Sequence, residues 1–399
     1  MLIFNKWAIA SLVVGLLGVM LADAVTPTIR YDCNPCLERS KYKVEMIVHG
    51  SNKDPFWQQV TAGATQAAKD MNIQLDMKLY DKFDISQMID DIKKVPGAGG
   101  DDEPDVLIVS LPSDDVAEVA KDVVIDAGIP VIGINSGSTK GKDIGVLDFV
   151  APNDIDGGMV AGQTIIDMAT SNSIALSNVL FVNDEKGNVA TSERYIGLQS
   201  AFEADTTTTV TVEEYVIDGS MDTNSMTSSM SSKLSGCPYQ AVMLSGTRTV
   251  ESTSAALANA GCSTTTTLLG SFDTSEAVFD AIGSSQLSFT IDNQQYLQGS
   301  LTTVLASLVA TTGMSLAPSA EVDGGAYITG PKVITKETLP SDTRKQCIND
   351  AFPVCPMNKV SCMVFAPMSG ESLGTTVCRT RLSLTNLSLS LAALHTKGT

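Results

Sequence analysis

Between Tyr42 and Thr335 short apolar runs alternate with amphipathic stretches, and this alternation limits the fold more than any other feature of the chain. "YKVEMIVHG" (42–50) predicts a strand and is followed by a helix from Pro55 towards Met71. "IQLDMKLYD" (73–81) alternates apolar and polar residues, as a half-exposed strand does. "DVLIVSL" and "PVIGIN" are short and nearly all apolar, the composition of strands buried on both faces of a parallel sheet. Between them "DDVAEVAKDVVIDAG" has helical periodicity and ends at Gly128, a suitable C-terminal cap. The pattern resumes with "NVLFVND", a helix over Ser192–Ala204, "TVTVEEYVI", a polar helix, "QAVMLSG", another helix and "LLGSFD". It closes with "LSFTID", a long helix over Gln294–Thr312 and "GGAYITGPKVIT". Repeated strand–helix units imply parallel sheets with right-handed crossovers. About ten such strands exceed one comfortable sheet, so two α/β lobes are expected. The turn-rich "DFVAPNDIDGG" (148–158) is the break between them.

In open parallel sheets ligands bind beyond the carboxyl ends of the strands. Those ends carry Gly50–Trp57, Asn135 and Ser136, Asn183 onward, Ser245 and Gly246, Asp273, and Asp292 and Asn293. The set is polar and rich in carboxamides, which suits a neutral polyhydroxyl ligand, with carboxylates supplying the stronger charge-assisted bonds. Only 5% of the chain is aromatic, yet Phe56 and Trp57 stand side by side where a helix begins. Neighbouring helix positions point about 100° apart, so the two rings cannot share one core. One ring is expected to plate the apolar face of a ligand while the other covers the cleft wall or core. Asp54, ahead of Pro55, is placed to cap the same helix. Asp54 and Asp273 also suggest a weaker alternative, an acid/base pair for glycoside hydrolysis. The chain contains no Walker A loop or H-E-x-x-H motif, and no catalysis is expected. "NDIDGG" does not fit an EF-hand loop and reads as a turn capping the next helix.

A net charge of −19 argues against nucleic acid or an anionic membrane as partner. "MLIFNKWAIASLVVGLLGVMLADA" has a lysine, an apolar run and a small-x-small site, so residues 1–24 are expected to be a signal peptide and the protein secreted. Eight cysteines suit that oxidising compartment. Cys33 and Cys36 form a lone C-x-x-C in a linker (25–41), whereas Cys347, Cys355, Cys362 and Cys378 fall in a Cys/Ser/Thr-rich tail (337–399), where connectivity stays open. Cys237 and Cys262 each precede an apolar strand, and adjacent parallel strands would bring them together. His49 and His395 are the only histidines and fit no ligand spacing, so neither a metal nor a cofactor is expected. Asn386 opens a glycosylation sequon.

"DPFW", "AGIPVIGINS", "VAPNDIDGGMVAGQ", "TSERYIGLQSAF", "GSFD" and "FTIDNQQYLQG", in that order and spacing, resemble the periplasmic sugar-binding proteins of the ribose and glucose/galactose type over Tyr42–Thr335. The resemblance implies the type I periplasmic binding fold: two Rossmann-like lobes, a three-strand hinge and a sugar in the cleft. It places the N-terminal lobe at 42–148 with 293–318 and the C-terminal lobe at 149–292 with 325–336. Crossings are expected near 148–151, 292–293 and 318–325. It implies ligand contacts by Asp54, Phe56, Asn135, Asp273 and Asn293, and by position 192, where the family often has Arg and this chain has Ser192. Trp57 and Ser136 join the candidates from their places beyond the strand ends. Arg194 is expected to make structural contacts at its helix start. Gly246 and Met221 also depart from the family pattern. The implied function is capture of a hexose or pentose by a monomer that serves a membrane transporter or receptor. An extracellular receptor that kept the fold without sugar binding is the alternative.

Overall fold

In a computed structural model the protein is described over residues 39–95, 103–206, 209–263, 265–316 and 325–339. The expected signal peptide, the C-x-x-C linker, the tail cysteines, the sequon and a crossing within 318–324 lie outside these residues.

The alternation becomes two sheets. In chain order the elements of the first are β1 (Lys43–Ser51), α1 (Pro55–Met71), β2 (Gln74–Tyr80), α2 (Ile85–Lys94), β3 (Val106–Val109), α3 (Asp114–Asp126), β4 (Val131–Ile134), α4 (Ser138–Ile144) and β5 (Asp148–Ala151). Then come α5 (Asp154–Ser171), β6 (Asn178–Asn183), α6 (Val189–Ala204), β7 (Thr211–Val216), α7 (Thr223–Leu234), β8 (Ala241–Leu244), α8 (Val250–Asn259), β9 (Leu268–Phe272), α9 (Glu276–Gly283) and β10 (Phe289–Asp292). The described residues end with α10 (Gln295–Thr312), β11 (Tyr327–Ile328) and β12 (Lys332–Thr335). The first sheet runs β11-β5-β4-β3-β1-β2 and the second β12-β10-β9-β8-β6-β7, six strands each. Neighbours pair in parallel, except that β12 is antiparallel to β10, with Phe289 opposite Thr335.

The apolar runs 106–109, 131–134 and 241–244 are buried at every position, as central parallel strands must be. Successive strand residues feed opposite faces. Met46 packs with Val60, Ala64 and Ala306 of α1 and α10, while Ile47 packs with Met88, Ile92 and Val116 of α2 and α3. Likewise Phe181 meets Ala161, Ile165 and Leu198, and Leu180 meets Met226, Met230 and Phe279. Close helix pairs brace each lobe at glycines. A Cβ on Gly299 would lie 2.0 Å from the Val60 carbonyl oxygen, and one on Gly158 2.2 Å from the Arg194 carbonyl oxygen. Cys237 and Cys262 are joined in a disulfide, the pairing that their places ahead of adjacent strands predict.

Sheet pairing corrects two boundaries. Residues 149–151 belong to β5 of the first sheet, and Tyr327 and Ile328 pair with Val150 and Ala151 there. The chain therefore enters the second sheet at Thr329–Pro331, after β11, and not within 318–325. The other passages follow β5 and β10. Among the described residues no helix is long and apolar enough to cross a membrane.

Candidate functional site

The carboxyl ends of β1, β4, β6, β8 and β9 converge on one cleft between the sheets. Asp54 follows β1 and caps α1, its Oδ1 accepting from the Phe56 N–H at 3.0 Å. Pro55 at the first helical position costs nothing, because its missing N–H would have been unpaired. Phe56 and Trp57 are buried, 7% and 2% exposed, so neither ring stands free in the cleft. They meet edge-on at 5.0 Å, and Trp57 meets the His49 ring edge-on at 4.9 Å. Gly50 makes room for this stack, since a Cβ there would sit 2.1 Å from the indole. Both rings line the cavity. Against the expectation that they could not share one core, both also pack into the first lobe's core, because their edge-on contact lets adjacent helix positions fill a single cluster.

Asn135 and Asp273 close β4 and β9 with φ of 65° and 68°. That left-handed backbone is rare for residues other than glycine, least costly for Asn and Asp, and concentrated at functional sites. A relay of amides joins them across the hinge. Asn135 Nδ2 donates to Gln298 Oε1 at 3.1 Å, Gln298 Nε2 to the Asn293 carbonyl at 2.8 Å, and Asn293 Nδ2 to Asp273 Oδ1 at 3.0 Å.

Two arginines dominate the second lobe's wall. Arg194 Nε donates to Asp154 Oδ1 at 2.7 Å, and its Nη1 to the Ser245 carbonyl at 2.6 Å and Asp273 Oδ2 at 3.4 Å. It thus makes the expected contact at its helix start and also faces the cleft. Arg248 bridges the lobes: Nη2 lies 3.4 Å from Asp54 Oδ2, Nε 3.2 Å from Asp184 Oδ2, and Nη2 also bonds Glu185 Oε1. Burial opposes both guanidinium charges, but the surrounding carboxylates outweigh it and hold both arginines firmly protonated. Burial raises the Asp54 carboxyl to about 6 and that of Asp273 to about 7, against the pull of Arg248 and Arg194 respectively. Burial, then the charges of Arg248 and Arg194, lowers His49 to about 3, so its ring is neutral. The Asn188 Oδ1 accepts from Ser136 Oγ (3.0 Å) and the Ala190 N–H (3.0 Å), which turns its Nδ2 towards His49 Nε2 at 3.3 Å. His49 Nε2 is then the acceptor, and Nδ1–H faces Ser110 Oγ at 2.8 Å.

Further bonds hold the lobes together. Gln59 Nε2 donates to the Thr274 carbonyl at 2.5 Å, and the Val189 N–H to the Pro112 carbonyl at 2.9 Å. With the lobes so joined, the cavity retains about 40 Å³, below the ~300 Å³ of ordinary small-molecule sites. A larger hollow of about 500 Å³ lies at the amino ends of β1 and β2. Four of its charges pair with one another, Lys78 with Glu45 at 3.5 Å and Lys94 with Asp91 at 2.8 Å. It also lies at the opposite end of the strands from where parallel sheets bind ligands.

Of the residues singled out in the sequence, Asp54, Phe56, Trp57, Asn135 and Asp273 line the cleft. Ser136 and Asn293 are buried behind it, each one hydrogen bond away. Ser192 is not brought in: it is exposed, and its hydroxyl bonds the Asn188 carbonyl within its own helix at 3.1 Å. His49, Asp184, Glu185, Asn188 and Arg248 also line the cleft and were not singled out. For Asp184 and Glu185 the signal was their place directly after a buried strand. Arg248, in "GTRTVES", carries no such signal.

Among curated protein sequences none matches this chain. Three solved structures illustrate the likeness in fold. The carbohydrate transporter from Acidothermus cellulolyticus 11B in complex with myo-inositol is 24% identical, with a TM-score of 0.66 over 78% of this chain and 99% of its own. An ABC transporter solute-binding protein from Agrobacterium vitis bound with α-D-tagatopyranose is 21% identical, with a TM-score of 0.64 over 77% and 99%. The glucose-galactose binding protein GanP from Geobacillus stearothermophilus is 17% identical, with a TM-score of 0.63 over 75% and 99%. The family model for the periplasmic binding protein domain matches residues 44–313. Two lobes of parallel sheet around one polar cleft, together with that match, place the chain in the periplasmic binding protein family.

Proposed function

We propose that the protein captures a small polyhydroxyl solute, a hexose, pentose or cyclic polyol, in the cleft between its lobes and performs no chemistry on it. The observation that carries this reading is the convergence of Asp54, Asn135, Arg194 and Asp273 with Phe56 and Trp57 on one cleft. Carboxylates and amides satisfy hydroxyls as acceptors and donors, and a ring face accommodates the C–H side of a pyranose. Related proteins of the same fold hold myo-inositol and α-D-tagatopyranose, ligands of this class. An extracytoplasmic monomer that delivers its solute to a membrane transporter fits the family and the acidic charge of −19. Because only about 40 Å³ is left between the joined lobes, the solute enters by hinge opening at the three passages between sheets, and the lobes then close on it.

One observation favours a second reading, a receptor that kept the fold and lost the solute: Arg248 already fills the cleft and ties Asp54 to Asp184 and Glu185. Thermal unfolding against a panel of monosaccharides and inositols separates the two, since a solute that binds only the folded state raises the melting temperature. A concentration-dependent rise with at least one of them supports capture. A flat response across the panel at millimolar concentrations supports the receptor reading.

A further inference from the structure

The surroundings of Arg248 have the form of a receptor for a cation. Three carboxylates meet its guanidinium, one from the first lobe and two from the second. Each is fixed to the protein through one oxygen and presents the other. Asp54 Oδ1 is held by the Phe56 N–H at 3.0 Å, Asp184 Oδ1 by Ser245 Oγ at 2.5 Å, and Glu185 Oε2 by Asn188 Nδ2 at 2.7 Å. The oxygens left over, Asp54 Oδ2, Asp184 Oδ2 and Glu185 Oε1, all face Arg248. These positions therefore do not depend on Arg248 to hold them. Counting Asp154 behind Arg194, five carboxyl groups surround two guanidiniums, so acids outnumber cations in the cluster. Among the described residues no group of three or more His, Cys, Asp or Glu is placed to hold a metal ion, so the arrangement suits an organic cation.

Arg248 also occupies the space a solute needs. Its side chain is 21% exposed, the most open member of the cluster, and stands in the turn between β8 and α8. If it leaves with nothing in its place, three desolvated carboxylates remain unpaired, which is strongly unfavourable.

On the reading that the cleft binds a polyol, we propose that its solute carries a positive charge: an amino-substituted sugar or cyclitol whose ammonium takes the place of the Arg248 guanidinium among Asp54, Asp184 and Glu185. The Phe56 and Trp57 rings line the same cleft, where they can meet the apolar face of a sugar or cyclitol ring. Arg248 is then a specificity-determining residue. It stands in for the ligand in the empty protein and is displaced by solutes that replace its charge, while a neutral solute must either tolerate unpaired carboxylates or bind beside the arginine.

Calorimetric titration of the full protein with D-glucosamine and D-galactosamine, beside D-glucose, D-galactose and the two N-acetylated amines, tests this. A charged hydrogen bond exceeds a neutral one by enough to give about tenfold in affinity. At least one free amine is therefore expected to bind about tenfold or more tighter than its neutral parent and its N-acetyl form. Glu185→Gln, which keeps the shape and removes one charge, should narrow that ratio. Arg248→Met, which removes the internal competitor, should tighten the amine. If the neutral sugars bind as tightly as the amines or more so, the charge assignment is wrong and sugar capture stands. If no sugar of either kind binds, the polyol reading fails and this inference with it.

Discussion

Replacing Arg194 by leucine removes the only cation among the described residues that touches Asp154 and Asp273. All three are buried, at 5%, 5% and 3% exposed, and Arg194 reaches Asp154 at 2.7 Å and Asp273 at 3.4 Å. Its guanidinium also lies 4.5 Å over the Phe272 ring and donates to the Ser245 carbonyl at 2.6 Å. Leucine keeps much of the apolar contact with Phe272, so the loss is chiefly electrostatic. Deleting one partner of a buried ion pair costs about 3–5 kcal/mol, because the charge left behind has neither water nor counter-ion. Here two carboxylates are left, but each can neutralise itself by taking up a proton, which keeps the total within that range. Urea unfolding followed by circular dichroism at neutral pH should show a lower midpoint at an unchanged slope. Arg194→Lys should recover only part of the stability, because one ammonium cannot reproduce the fork that serves Asp154, Ser245 and Asp273 together. Stability of the leucine variant should partly return towards pH 5 as the two acids protonate. A loss under about 1 kcal/mol at neutral pH would refute the view that this cluster is desolvated and held by one guanidinium.

The contribution of Asp54 and Asp273 to stability should fall as pH rises from about 4 through about 7, because burial raises them from 3.8 to about 6 and about 7 and they hold protons more tightly folded than unfolded. Neutral His49, lowered to about 3, opposes part of that decline. Asp273→Asn, which imitates the protonated acid, should flatten that decline in urea midpoints across the range, and an equal slope in the variant would contradict the assignment. Gly158→Ala would place a methyl 2.2 Å from the Arg194 carbonyl and 2.7 Å from the Leu198 nitrogen, both backbone atoms. It should cost about 1–3 kcal/mol or more by prising α5 from α6, seen as a melting shift. Reducing the disulfide that spans the 25 residues between Cys237 and Cys262 should lower stability by about 3 kcal/mol, read from unfolding with and without reductant.

The fold was legible because its determinants are local. Fully buried runs such as 106–109 and 241–244 admit few readings other than central parallel strands, and their order implied the disulfide. The third passage between lobes was misplaced because β11 contributes two residues, too few for any period to show, and only its pairing with Val150 and Ala151 assigns it to the first sheet. Cleft residues at strand ends, Asp54, Asn135 and Asp273, could be found because topology alone fixes where strands end. Ser192 and Arg194 could not be told apart. Two helix positions differ by about 200°, and which one faces inward depends on how Gly158 and Gly197 seat α6 against α5, a contact with Ile155 and Arg194 backbone that no periodicity announces. Arg248 was missed for a related reason. Its partners come from two lobes and from sequence distances of 63 to 194 residues, and only closure of the cleft assembles them.

The most direct test of solute capture is calorimetric titration of the parent and of Asp273→Ala with the sugar or polyol that gives the largest melting shift. Asp273 joins Arg194 to the amide relay that crosses the hinge, so losing its carboxylate should leave ligand or protein donors unpaired and weaken binding roughly ten- to a hundredfold. The variant should remain folded by its melting curve. Binding by Asp273→Ala as tight as that of the parent would contradict the account.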